Sequence, residues 1–131
     1  MPFPVDLKYI EEFETDLGLS FPEKYKAKMT IENGGVIQTD EDDWTLFPFL
    51  DKLDNKRISR TCNHIGLETE NSKEWDNFPA EAVAIGENGV GDLLILLPDK
   101  STSSKLTDNI FVWSHETGEI YELAENINSI E

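Results

Sequence analysis

Leu93 to Leu97 are five consecutive apolar residues, and they follow directly on the run Ile85-Gly86-Glu87-Asn88-Gly89-Val90-Gly91-Asp92. An unbroken apolar run of strand length is covered on both faces, which places it inside a sheet with another layer against it. The glycines ahead of it have phosphate-loop spacing, but a phosphate loop needs a strand before it and a helix N-terminus after it. Here the strand comes after. Val83 and Ile85 alternate with alanines, as in a strand with one well-covered face. Two apolar strands joined by Asn and Gly form a hairpin, because these residues tolerate the positive φ of tight turns. Gly86, Asn88, Gly89, Gly91 and Asp92 are therefore expected to be structural turn residues. Asp92 is expected to hydrogen-bond the turn backbone rather than to act as a catalytic carboxylate.

Upstream, Asp6 can cap a first helix with Ile10, Phe13 and Leu17 on one stripe and Gly18 at its end. Ser20 and Glu23 have capping-box spacing around Pro22, and Phe21, Tyr25 and Met29 give a second helix its inner face. Asn33, Gly34 and Gly35 stop that helix by supplying left-handed conformations. Residues 36–39 and 44–47 flank Asp40-Glu41-Asp42-Asp43 as an acid-tipped hairpin, which Pro48 ends. Ile58, Cys62 and Ile65 suggest a further helix, and residues 67–77, polar apart from Trp75, part loop and part helix. Ile110 to Trp113, the turn His115-Glu116-Thr117-Gly118 and a strand through Ile120 and Tyr121 make another hairpin. Leu123, Ile127 and Ile130 fit a short closing helix. The order predicts an α+β fold in one domain over residues 1–131, with an N-terminal helix pair, a mainly antiparallel sheet built from hairpins, and a short C-terminal helix.

Acidic residues number 27 against 11 basic ones, for a formal net charge of -16. With 38% hydrophobic residues the chain can still build a core, so the charge belongs on the outside of a folded body. Such a surface repels phosphate, which argues against nucleic acid and in favour of a basic protein as partner. The candidate partner-binding residues are Asp40, Glu41, Asp42, Asp43 and Trp44 at the first hairpin tip, Glu68, Glu70, Glu74 and Asp76 in the polar segment, and Glu116 and Glu119 at the last turn. Trp113, in an apolar strand, belongs to the core, whereas Trp44 beside the acidic tip suits core and interface equally. Cys62 is the single cysteine, which excludes a disulfide framework and fits a reducing compartment. The start has no basic and apolar leader, and no apolar run reaches membrane-spanning length. A cytoplasmic protein without membrane insertion is expected, of undetermined oligomeric state.

Cys62, His64 and His115 are too few for a four-ligand zinc site. Residues 40–43 lack the alternating ligands, glycine and distal glutamate of an EF-hand loop. No metal or cofactor is expected. No local signature joins a nucleophile to a base, so no catalytic residue is assigned and the chain is not expected to be an enzyme.

Leu17-Gly18, Phe21-Pro22, Tyr25 and Asn33-Gly34-Gly35 come first, Ile85-Gly86, Asn88-Gly89 and Gly91-Asp92-Leu93 next, and Trp113-Ser114-His115-Glu116 last. In this order the chain resembles the SUKH superfamily of bacterial toxin-immunity proteins and cell-wall assembly regulators. Phe21 stands where leucine is common in that family, and residues 67–77 match none of its segments. The resemblance implies a strongly curved sheet and a domain that binds rather than catalyses. It implies an immunity protein that neutralises a cognate toxin domain, many toxins of such relatives being nucleases, or alternatively a regulatory adaptor of the cell-wall regulator type; the net charge of -16 makes a basic toxin the expected one.

Overall fold

Asp6 caps α1, Leu7–Leu17, by accepting the Lys8 N–H at 3.0 Å, and Gly18 closes the helix at φ 76°. The computed structural model describes residues 3–39, 42–75 and 77–129. Asp40, Glu41, Asp76 and Ile130 lie outside these. Helix α2, Glu23–Ile31, buries Tyr25 and Met29 as the four-residue spacing predicts. Its capping box does not form. Pro22 is the N-cap and lies before the first turn. Ser20 instead bonds in strand fashion to the 97–109 connection, donating to the Ser104 carbonyl at 2.8 Å and accepting from the Leu106 N–H at 2.9 Å. Glu14 of α1 substitutes for the cap, accepting the Phe21 N–H at 2.7 Å and meeting Lys26 at 3.3 Å.

Among the described residues the sheet has six strands: β1 Gly35–Gln38, β2 Asp43–Leu46, β3 Val83–Glu87, β4 Leu93–Leu96, β5 Ile110–Trp113 and β6 Ile120–Ala124. They lie in sequence order, each antiparallel to the next. β4 is interior and buried throughout, as its unbroken apolar run requires. β3 is not covered on one face only. Val83, Ala84 and Ile85 are all buried, because α4 lies over them and Thr69 accepts the Ala84 N–H at 2.9 Å. Register shifts between Ala84 and Gly86 and between Ile110 and Phe111 give the sheet its curl, since an irregularity in one strand bends the pair. Gly86 belongs to β3 and not to a turn. A Cβ there would come within 2.9 Å of the Thr45 carbonyl oxygen of β2, so the glycine serves close backbone approach.

Between β2 and β3 the chain makes two helices rather than one through Ile58, Cys62 and Ile65. α3 is Asn55–Arg60 and α4 is Ile65–Ser72. Ile58 and Cys62 are exposed, and only Ile65 reaches the core. Asp54 caps α3, and the Nδ1 of His64 caps α4 by accepting the Leu67 N–H at 3.3 Å. The closing helix is reduced to a single 3-10 turn, Ile127–Ser129, because Leu123 is taken into β6. Among the described residues no helix is long and apolar enough to cross a membrane.

The core under α1 and α2 is aromatic, with Phe21 edge-on to Phe49 at 5.0 Å and stacked on Tyr25 at 5.8 Å. Asn33 closes it. Its amide donates to the Phe49 carbonyl at 2.9 Å and accepts the Phe49 N–H at 2.8 Å. The left-handed conformations after α2 belong to Gly34 and Gly35, at φ 113° and 92°, and not to Asn33.

Candidate functional site

In a meander of successive antiparallel strands, the β1–β2, β3–β4 and β5–β6 turns all fall at one end of the sheet. Side chains tie the three turns together. Asn88 accepts the Val90 and Asp92 N–H groups at 3.1 and 3.3 Å, and so does the turn-backbone work expected of Asp92. Its amide nitrogen lies 3.3 Å from Asp92 Oδ2 and 3.5 Å from Asp42 Oδ2 of the first hairpin. Asp92 is thereby free to reach the third turn, where Oδ1 accepts the His115 N–H at 3.2 Å and meets His115 Nδ1 at 2.8 Å. Burial acts to push the Asp92 carboxyl up, but the bonds from His115 and Asn88 outweigh it and hold the group below its ordinary range. Gly89 and Gly91 make the turn at φ 86° and 103°, and a Cβ on Gly91 would come within 3.0 Å of the His115 ring.

The segment after α4 returns to this end. The Trp113 indole N–H donates to the Asn77 carbonyl at 3.1 Å, and the Asn77 side chain fills the space over Gly118. Trp75 is thus set edge-on to buried Trp113 at 6.2 Å and to His115 at 6.1 Å, with 50% of its surface exposed. Trp75 escaped the sequence-based selection of site residues. The available signal was that it is the single Phe, Tyr or Trp between Phe49 and Phe78, in a polar segment.

The candidate carboxylates are largely gathered here. Asp42 and Asp43 are exposed on the first hairpin, Glu74 precedes Trp75, and Glu116 and Glu119 are exposed at the third turn, with Glu116 4.0 Å from the His115 ring. Glu68 of α4 faces Glu87 at the end of β3. Partial burial first, and that neighbouring charge second, hold the Glu68 carboxyl above its ordinary range. Glu70 pairs with Lys73 at 3.6 Å and takes no part in this group. Trp44, which the sequence left open between core and interface, is 2% exposed and belongs to the core, because alternation along β2 turns it inward with Leu46. No Lys or Arg occurs in residues 33–51, 74–99 or 106–131, so all six strands and all three turns lack a cation.

Both histidines make structural bonds. The His115–Asp92 pair locks one turn onto the next, and the His64 Nδ1 is committed to capping α4. Among the described residues no three His, Cys, Asp or Glu are grouped to hold a metal ion. No curated protein matches the chain. The sequence model of the SMI1 / KNR4 family (SUKH-1) matches residues 4–130, spanning both N-terminal helices, the whole sheet and the final turn. The chain belongs to this family.

Proposed function

We propose that this chain is a non-catalytic immunity protein that acts in the cytoplasm, where it binds and neutralises a cognate, basic toxin domain through the three-turn end of its sheet. Family membership supports a binding module of the immunity-protein or cell-wall-regulator kind. The observation that carries the choice of face is Trp75. It is a half-exposed aromatic braced by Trp113 and His115, at an end of the sheet that holds carboxylates and no cation from any strand. Tight interfaces combine a central aromatic anchor with surrounding charge that selects the partner and speeds encounter. Against a nuclease toxin, Asp42, Asp43, Glu68, Glu74, Glu116 and Glu119 would occupy the groove that otherwise receives phosphates. Asp40, Glu41 and Asp76 are proposed as contacts from the sequence alone.

Co-expression with the toxin encoded beside this gene is expected to restore growth, and the purified pair to form a salt-sensitive complex. Trp75→Ala should weaken that complex by about 2 kcal/mol, roughly thirtyfold in Kd, with an unchanged near-ultraviolet spectrum of the remaining core. Absence of both rescue and complex, with correctly folded protein, would overturn the proposal. Capture of a housekeeping protein, together with a deletion phenotype in cells never exposed to toxin, would support the adaptor reading in its place.

A further inference from the structure

Among the described residues, five of the eleven cations meet a carboxylate, Arg57 and four lysines. Lys26 meets Glu14 and Glu23, Lys28 meets Glu32, Lys52 meets Glu12, and Lys73 meets Glu70. Arg60, exposed on α3, has no carboxylate partner among the described residues. Its guanidinium lies 5.0 Å from the Phe3 ring centroid, beside that of Arg57 at 4.6 Å. Both arginines line a cleft of about 340 Å³ at the base of the β1–β2 hairpin, whose walls include Phe3, Leu46, Pro48 and Asp51.

We infer that this cleft binds a carboxylate carried on an apolar body, the chemistry of a peptide chain end or an acylated amino acid. The mixed lining, cationic on one side and apolar on the other, selects an organic anion over a bare one. Arg57 lies 3.5 Å from Asp51, a carboxylate only 1% exposed, so one of the two lining guanidiniums is already neutralised; Arg60 remains in the lining, with Lys56 Nζ 5.6 Å from the Phe3 ring beside it. Inorganic phosphate would meet the same cations but leave the apolar walls of Phe3 and Pro48 unfilled. Arg60 can take a carboxylate through two parallel N–H bonds, while Phe3, Leu46 and Pro48 receive the apolar body. The volume sits at the small end of ligand pockets, which begin near about 300 Å³. The acidic face does not forbid an anion here. The four residues of β1, at about 3.3 Å each, separate base from tip by more than the Debye length of about 8 Å at physiological salt.

The test is a titration of the isotope-labelled full chain by NMR with N-acetylleucine, its uncharged amide, and inorganic phosphate, each to about 10 mM. N-acetylleucine is expected to shift the amide signals of Gly34, Gly35, Thr61 and Asn63 saturably, with the amide and phosphate at least about tenfold weaker. Arg60→Gln should weaken N-acetylleucine by about tenfold or more and leave the unfolding midpoint unchanged, whereas Lys100→Gln, exposed in the β4–β5 connection and outside the cleft lining, should leave binding within about twofold. No saturable shift, equal binding of the amide or phosphate, or indifference to Arg60→Gln would overturn the inference. Toxin neutralisation is independent of each of these outcomes.

Discussion

Tyr25 buries its ring in the aromatic core at 1% exposure, and its hydroxyl has no hydrogen-bond partner among the described residues. Burial pushes that phenol well above its ordinary range. An unpartnered buried hydroxyl gives up its hydration and regains nothing, so Tyr25→Phe is expected to leave stability unchanged or raise it by about 1 kcal/mol in urea unfolding. A loss of more than about 1 kcal/mol would show that the hydroxyl has a partner in solution. Asn33 stands at the opposite limit, with both ends of its amide bonded to the backbone of Phe49. In the sequence Asn33 and the two glycines after it are a helix stop, and Gly34 and Gly35 act as one. The stitch to Phe49 was not legible, because its partner is distant along the chain and the pairing exists only after folding. Trp44 shows the same limit. Its neighbours Asp43 and Thr45 mark it as flanked by polar residues, but which face of β2 is inside depends on the layer packed against it.

Elements were most legible where local chemistry and burial agree. Asp6, the Ile10–Phe13–Leu17 stripe and Gly18 define α1 from both sides, and β4 announces its central place by composition. The capping box at Ser20 failed because a longer-range partner was available: the backbone of Ser20 is held by Ser104 and Leu106, and Glu14 of α1 accepts the Phe21 N–H. The three hairpin turns behave as one element through Asn88, Asp92 and His115. Asp92→Asn keeps the shape but removes the charge from two bonds to His115, and is expected to cost about 1 to 2 kcal/mol in thermal unfolding. The native carboxyl lies below its ordinary value. Its contribution is therefore complete above that ordinary value and is lost as pH falls through the lowered native one. Wild type and Asp92→Asn should accordingly converge in stability as acidification carries the pH through that lowered native value. A constant difference across that range would show that the charge on Asp92 contributes nothing.

At the scale of the whole molecule, the net charge of -16 is unevenly placed. Ten of the eleven cations lie in residues 8–60 or in the β4–β5 connection at Lys100 and Lys105, leaving Lys73 alone after α4. The strands and their turns are acid without counter-charge, so self-repulsion opposes folding at the same end proposed to attract a toxin. Raising ionic strength from about 0.01 to 0.15 M shortens the Debye length from about 30 to 8 Å. This should raise the unfolding midpoint of the free chain while slowing its association with a basic partner. A midpoint that falls or stays constant would show that the acidic end is not repulsive. The sequence by itself determined the α+β class, the interior position of β4, the hairpin order and the excess of acid, because each follows from periodicity, turn chemistry and composition over short stretches. Only the tertiary structure decided that Trp75 stands on Trp113 and His115, that Trp44 is core, that Asp92 joins two turns, and that Arg60 lines a cleft with no carboxylate partner among the described residues. These depend on contacts between segments far apart in the chain, and local patterning carries no record of which distant neighbour a side chain meets.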